Sequence, residues 1–394
     1  NANGTDLNRS FPDLNGYAGT SDPEVTMMKN YADAHNFVMS ANGHGGTECL
    51  NYPWDEQNWY SSDHPHPDTD WWEYICHQYA NTCHAINSNY LKGPGTMYDN
   101  SNNSTGITEG CDWYYTQGGR QDYMNYYHHC REITMEWSNT KKLDSEYLNT
   151  YWGYNRQALL DYTEQVLYGF RGIVTDACTN EPLSGVKVFI NNHDADNSEV
   201  YTSAPIGNYH RPIYAGTYSV TFSKEGYVSK TLNVTTQNMA CQRLDVSLCP
   251  EPTFTANPVA VFEGSSIQFT NTTEGCNTMS SWTFEGGSPA TSTAANPTVT
   301  YNTRGTYDVT LTIENPNGCT SSTTGHITIY EGIAPTADFS ASETIVPFGS
   351  SVTFTDLSTN MPTSWSWTFE GGTPATSTEQ NPSVRLQKQD AAHA

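Results

Sequence analysis

The sequence predicts a multidomain protein: an α/β stretch over residues 1–168, an all-β domain over 169–250, and two β-sandwiches over 251–331 and 334–394, the second incomplete. Three observations carry this reading. Up to Tyr168, apolar residues recur at helical spacing between short strand-like runs. From Phe170 short β-patterned runs separated by turn residues take over. The segment Trp282-Thr-Phe-Glu-Gly-Gly-Ser-Pro-Ala-Thr-Ser-Thr then recurs as Trp367-Thr-Phe-Glu-Gly-Gly-Thr-Pro-Ala-Thr-Ser-Thr, and an internal repeat decides architecture.

In chain order, Ser21-Asp22-Pro23-Glu24 reads as a capping box with proline in the first helical turn, followed by an apolar stripe of Val25, Met28 and Ala32. Phe37-Val38-Met39 opens a strand over 37–41 that runs into a turn carrying His44 between glycines. A helix from about Asp70 presents Trp72, Ile75, Tyr79, Thr82 and Ile86 on one stripe. Its Cys76 and Cys83 lie about 10 Å apart along the axis, too far to pair. Arg131 to Trp137 alternates: Ile133, Met135 and Trp137 face one way, Glu132, Thr134 and Glu136 the other, which makes the acidic face a solvated edge or a site. A long helix from near Ser145 turns Leu148, Trp152, Leu159, Tyr162 and Val166 inward and ends at Gly169. The runs GIVTD, VKVFI, GTYSVTFSKEGY and KTLNVTT form the next domain. In the repeats, SSIQFT (265–270) matches SSVTFT (350–355), and Cys276 and Cys319 occupy the first copy, which suggests a 276–319 disulfide. The tail RLQKQDAAHA has lost the strand pattern.

Composition excludes several function classes. With 17 Lys+Arg against 42 Asp+Glu, the net charge of −25 leaves no basic surface for replacing the counterions of a nucleic acid. No apolar run reaches the length of a membrane span, and the residues given are expected to include no signal peptide. The ten cysteines include no C-x-x-C pair, which argues against a zinc ribbon and for an oxidising compartment with some disulfides.

Three segments carry chemistry. Asp6-Leu7-Asn8-Arg9 offers an amide beside a guanidinium, suited to gripping a carboxylate. Ser40 to Asp55, SANGHGGTECLNYPWD, delivers His44 to the carboxyl end of a strand, where open α/β sheets bind ligands. The third runs from Trp113-Tyr114 through Gly118-Gly119-Arg120-Gln121-Asp122-Tyr123 to Glu136. Taken singly, each also reads as an ordinary loop or turn.

Together, NGTDLNRSFPD, SANGHGGTECLNYPWD, GITEGCDWYYTQGGRQDY and EITMEWS resemble the zinc metallocarboxypeptidases, in the branch of carboxypeptidases M, N, E and D, over most of residues 3–168. Residues 170–249 are similar to the transthyretin-like β-domain that follows the catalytic domain there. The resemblance implies an α/β/α domain in which His44 is a zinc ligand and Glu136 activates water and hands its proton to the leaving amine. It also implies that Asn8 and Arg9 bind the substrate's free C-terminal carboxylate, that Tyr114 closes over the substrate, and that Asp6 orients a zinc histidine. Asp55 and Gln121 match positions lining the pocket for the terminal side chain, and an aspartate there goes with preference for C-terminal Lys or Arg. The partners so implied are peptide or protein C-termini.

The departures are equally specific. The family's H-x-x-E segment, with two further zinc ligands, and a second arginine lie upstream of D-x-N-R, and the sequence as given opens downstream of that stretch. The chain is therefore expected to be a piece of a carboxypeptidase, inactive alone, with an exposed sheet edge. His129-Cys-Arg-Glu132 matches H-x-x-E, but on a strand residues three apart face opposite ways. Relatives pair the counterpart of Cys130 with a cysteine absent here, which leaves Cys111 as a candidate partner. The repeats look like PKD domains, which are immunoglobulin-like sandwiches common in secreted bacterial proteins; this implies an extracellular protein of bacterial type. Their aromatics are either core residues of a spacer or a surface for polysaccharide or cell-surface material. The rival function is a non-catalytic adhesion or binding protein with a degenerate peptidase domain.

Overall fold

A computed structural model describes residues 4–56, 65–93, 105–274, 279–315, 318–332, 335–360 and 362–386. The chain divides into two compact units. The first comprises Asn1–Thr253, Thr272–Ser280 and Thr312–Thr323; the second comprises Phe254–Asn271, Ser281–Leu311 and Thr324–Ala394.

In the first unit, a four-stranded mixed sheet is ordered β1-β4-β2-β3, with β1 Met39–His44, β2 Thr47–Tyr52, β3 Ile107–Glu109 and β4 Arg131–Ser138. β4 runs parallel to β1 and antiparallel to β2. On one face, Ile133 and Met135 join Leu50 and pack against α2 (Thr69–His84) and α5 (Leu148–Glu164) through Trp72, Ile75, Tyr79, Ala158 and Tyr162. Beside the sheet, α1 (Pro23–Asp33) and α4 (Arg120–His128) form a second cluster of Val25, Ala32, Tyr123 and Met124 with Phe11; α3 (Gly110–Trp113) is a single turn. The alternation of β4 thus separates an apolar face from a polar one, as its sequence predicts. The acidic face is no solvated edge, because β4 lies between two strands and Glu132 and Glu136 are buried. Among the described residues the outer edge of β1 has no strand partner.

Several expectations need correction. The first strand begins at Met39 rather than Phe37 and includes His44, because the parallel ladder with β4 extends to that residue. The N-cap of α1 is Asp22, not Ser21, and no side-chain cap bond forms, since Thr20 Oγ1 donates to the Asp22 carboxylate instead. On α5, Leu148 and Trp152 are exposed and the buried residues are Asn155, Ala158 and Tyr162; the inward stripe is rotated from the one the sequence suggests. Ile86 lies beyond α2 and is exposed. Gly169 does not cap the helix. It starts the next strand at φ +89°, where a Cβ would meet the Arg211 carbonyl oxygen at 2.3 Å.

The β-domain contains β5 Gly169–Asp176, β6 Lys187–Ile190, β7 Val200–Tyr201, β8 Asn208–Arg211, β9 Gly216–Ser223, β10 Lys230–Thr236, β11 Cys241–Arg243 and β12 Val246–Leu248. One sheet is ordered β10-β9-β6-β7; the other is β11-β5-β12 with β8 also on β5. Their inner faces share a core of Phe170, Val174, Val188, Val220, Phe222 and Leu248. Cys249 pairs with Cys319, so the 276–319 bond expected from sequence does not form; Cys276 itself lies outside the described residues. Cys111 and Cys130 are both free thiols, so that pairing is absent as well.

A buried ion network joins this domain to the α/β part within the same unit. Asp68, at the N-terminus of α2, takes Arg131 Nη2 at 2.8 Å from β4 and Arg211 Nη1 and Nη2 at 2.8 and 2.9 Å from β8. Arg211 also reaches Asp194 Oδ1 at 2.5 Å, and His193 Nε2 lies 2.9 Å from Asp68 Oδ1. Burial alone would raise the Asp68 carboxyl, but Arg211 and then Arg131 outweigh it and hold it well below the carboxylate range.

The first repeat copy places Phe254–Asn257, Ser265–Asn271, Thr298–Tyr301 and Gly287–Ser288 in one sheet. Met279–Phe284 lies in the other, paired on one side with Thr291–Ser292 and flanked on the other by Gly305–Glu314. Trp282 is fully buried, its Nε1 donating to the Ala294 carbonyl at 2.9 Å. The second copy repeats this bond from Trp367 to Glu379 at 2.9 Å. Trp367 is only half-buried, because Trp367–Thr368 pairs with Thr376–Ser377 alone among the described strands.

Candidate functional site

The polar face of β1 and β4 is built residue by residue from their parallel register. Ser40, Asn42 and His44 stand opposite Glu132, Thr134 and Glu136. At the carboxyl end, His44 Nδ1 lies 2.8 Å from Glu136 Oε1, and this hydrogen bond raises the imidazole above its ordinary pKa. His44 is exposed, whereas Glu136 is buried and its Oε2 has no hydrogen-bond partner. A buried carboxylate oxygen without a donor is costly unless a ligand completes it. Gly43 is required between them: a Cβ there would fall 2.8 Å from the Trp137 ring.

Asn8 and Arg9 lie in a short 3₁₀ turn, Leu7–Arg9, whose N-cap Asp6 accepts the Asn8 N–H through Oδ1 at 3.0 Å. Arg9 Nη1 donates to the Asn8 carbonyl at 2.8 Å. Asn8 Oδ1 accepts the backbone N–H of Arg120 at 3.0 Å and Asn42 Nδ2 at 3.4 Å, which places the pair over the β1–β4 face.

Asp55 follows β2 and is almost fully buried. Its Oδ1 accepts Asn51 Nδ2 at 3.0 Å and Gln121 Nε2 at 3.2 Å. A Cβ on Gly110 would come within 1.8 Å of that oxygen, so glycine is needed beside it. Desolvation lifts the Asp55 carboxyl to about 6, opposed by Asn51 and Arg9. Its backbone N–H is held by both oxygens of Asp122 at 3.1 Å, itself raised well above the carboxylate range by burial and by Asp55. Tyr114 stands apart from these contacts, its ring 46% exposed and packed edge-on against Trp113 at 4.5 Å.

The structure thus brings His44 to Glu136, Asp6 to Asn8, and Asp55 to Gln121, and the Arg9 charge partly offsets the burial that raises the Asp55 carboxyl. It also supplies residues with no assigned part in the sequence reading. Arg120 clasps Glu132 with Nε at 2.8 Å and Nη2 at 3.0 Å, and Nη2 reaches the Ala41 carbonyl at 2.8 Å. Asp122 and Asn51 hold Asp55 by hydrogen bonds, and Gly110 packs against its carboxylate. A sequence signal existed for Glu132, on the same strand face as Glu136; nothing marked Arg120 as its partner. Glu132 is therefore bound to Arg120 rather than to His129, which caps α4 in the left-handed region.

Comparison with known proteins places these features. The zinc carboxypeptidase family model matches residues 1–158, the carboxypeptidase regulatory-like domain 169–248 and the PKD domain 253–327. Residues 1–158 belong to a zinc carboxypeptidase domain. The carboxypeptidase N catalytic chain of Rattus norvegicus is 35% identical over 265 residues, 60% of this chain and 55% of the relative. Carboxypeptidase D of Homo sapiens is 30% identical over 270 residues, 68% of this chain and 19% of the relative. The chain thus spans about half the length of the carboxypeptidase N relatives it matches. A solved PKD1 domain of the Vibrio cholerae metalloprotease PrtV is 30% identical, covering 20% of this chain and 95% of its own, with a TM-score of 0.17.

The family name implies zinc, and the donor set fits one side of such a centre. His44 offers one imidazole, with the Glu136 carboxylate beside it, but a catalytic zinc takes three protein ligands. Among the described residues the one group of three candidate ligands is Asp68, His193 and Asp194, on the ion network, where two guanidiniums already occupy the carboxylates. Among the described residues no helix is long and apolar enough to cross a membrane.

Proposed function

We propose that this chain carries the substrate-binding side of a secreted bacterial zinc carboxypeptidase that removes C-terminal Lys or Arg. The observation that carries the reading is the buried Asp55 carboxylate, lifted to about 6 by desolvation and approached by Gly110 so closely that no side chain fits there. An ionised carboxylate held in such a place is matched by a cationic side chain and by nothing apolar. Asn8 and Arg9 hold the substrate's free carboxylate, which makes the action exopeptidic, and Tyr114 covers the bound residue from the rim. Glu136 takes a proton from the attacking water at its orphan Oε2 and returns it to the leaving amine. Zinc, when bound, would supply Lewis-acid activation of that water. His44 is one ligand, Asp6 orients a zinc histidine, and two further ligands would come from the H-x-x-E segment that the resemblance implies. The boundaries 1–168, 169–250, 251–331 and 334–394 stand as the domain division under this reading. The Cys249–Cys319 disulfide supports an oxidising, extracellular setting. Full burial of Trp282 supports a spacer role for the first repeat over polysaccharide binding.

Two measurements test this. After dialysis the 394-residue chain is expected to hold much less than one zinc per molecule and to release no C-terminal residue; stoichiometric zinc with turnover would contradict the ligand assignment. In the intact, zinc-loaded protein, Glu136→Gln is expected to lower kcat by about 10²–10⁴-fold with KM nearly unchanged. Undiminished turnover would remove Glu136 from its role. Should the zinc-loaded protein bind such peptides without cleaving them, a non-catalytic binding protein is the surviving reading.

A further inference from the structure

We propose that Arg120 is a positioning residue: it sets the Asn8–Arg9 pair against the His44–Glu136 pair and thereby governs selection for a free terminal carboxylate. This rests on the reading of Asn8 and Arg9 as carboxylate anchors. The geometry has two parts. The backbone N–H of Arg120 donates to Asn8 Oδ1 at 3.0 Å, and Asn42 Nδ2 approaches the same oxygen at 3.4 Å. A main-chain N–H can only donate, so the Asn8 amide is turned with its oxygen toward Arg120 and its two N–H donors the other way. Donors facing away from the protein's own donors are what a carboxylate, which only accepts, requires.

The side chain fixes where that amide stands. The Arg120 fork binds both oxygens of Glu132, and Nη2 also binds the carbonyl of Ala41. Glu132 is completely buried and accepts a further bond from Ser40 Oγ. Ser40 and Ala41 belong to β1, which ends in His44; Glu132 belongs to β4, which carries Glu136. One guanidinium therefore ties the helix that anchors Asn8 to both strands that present the His44–Glu136 pair. A planar fork has a geometry that a lysine ammonium does not reproduce. Loss of the fork leaves Glu132 buried without its cation and frees the start of α4 to shift. A displacement of about 1 Å at such a site is enough to cost about a hundredfold.

The test uses the 394-residue chain and two labelled peptides ending in arginine, one a free acid and one a C-terminal amide, with a leucine-ended free acid as control. Wild type is expected to prefer the acid over the amide. Arg120→Met is expected to lower that preference at least tenfold while the arginine-over-leucine preference, set by Asp55, persists. Glu132→Gln should do the same, and the double variant should add little. Arg120→Lys should recover part of the loss, and it serves as the reading if Arg120→Met does not fold. A general loss of structure would lower both preferences together. If wild type prefers the acid and the folded variants match it, the proposal is overturned and the anchor reading stands. If wild type shows no preference for the acid, the anchor reading falls, and this proposal falls with it.

Discussion

Replacing Asp55 by asparagine is expected to weaken binding of arginine- or lysine-ended peptides by about two to three orders of magnitude, with leucine-ended peptides changed only a few-fold. Removing one partner of a buried, hydrogen-bonded charge pair costs about 2–5 kcal/mol, and Asp55 is the buried carboxylate of this pocket. Asparagine keeps an oxygen for Asn51 and Gln121, so the pocket retains its internal bonds. The same carboxyl predicts the pH profile. With its pKa near 6, it is ionised above that value, so affinity for a basic terminus is expected to fall as pH drops through about 6. Stability has the opposite sign. A folded pKa raised above the unfolded one gives stability that is present below about 3.8 and lost as pH rises through about 6. Asp55→Asn should therefore stabilise the unliganded protein at neutral pH, by something on the order of 2 kcal/mol. Titration calorimetry at pH 5 and 7.5, with urea unfolding at the same values, checks both signs. Binding that is independent of pH, together with a variant less stable than wild type, would show that Asp55 has a structural task and no cationic ligand.

Arg211→Met is expected to lower the unfolding free energy of the first unit by about 3–5 kcal/mol, the cost of leaving buried charges without their partner. Arg211 is fully buried and bridges Asp68 and Asp194; without it Asp194 has no guanidinium, and Asp68 keeps only that of Arg131. The effect should extend beyond the β-domain, because Asp68 starts α2 and Arg131 starts β4, the strand that presents Glu136. Hydrogen exchange resolved by segment should show faster exchange in β4 as well as β8. A loss below about 1 kcal/mol, or one confined to β8, would mean that the network does not couple the two parts. Acid should act in the same direction. The Asp68 carboxyl is depressed, so its contribution holds above about 3.8 and is lost as pH falls further.

The sequence was most legible where periodicity is local. The alternation of Arg131 to Trp137 separated a core face from an acidic one, and the structure keeps that division because β4 is flanked by strands and covered by helices. His44 meets Glu136 because the parallel register of β1 and β4 sets the two residues opposite each other. What failed depends on contacts distant in sequence. Leu148 and Trp152 fit an apolar stripe, but Asn155 takes the inward position because Tyr79 and Tyr90 supply its hydrogen-bond partners. Cys319 pairs with Cys249, a partner in the preceding domain that comparison of the two repeat copies could not indicate. Arg120 looked like part of a glycine-rich turn, and only the fold shows that its fork meets a buried carboxylate.

The central claim is that Asn8–Arg9, Asp55 and the His44–Glu136 pair bound a single site for the last residue of a peptide. Titration of the 394-residue chain with glycyl-arginine, repeated with Arg9→Ala and with Asp55→Asn, tests it most directly. One molecule should bind per chain, each substitution alone should abolish most of the affinity, and glycyl-leucine should bind far more weakly than glycyl-arginine. Equal affinity for the two dipeptides, or wild-type binding that survives both substitutions, would contradict the claim.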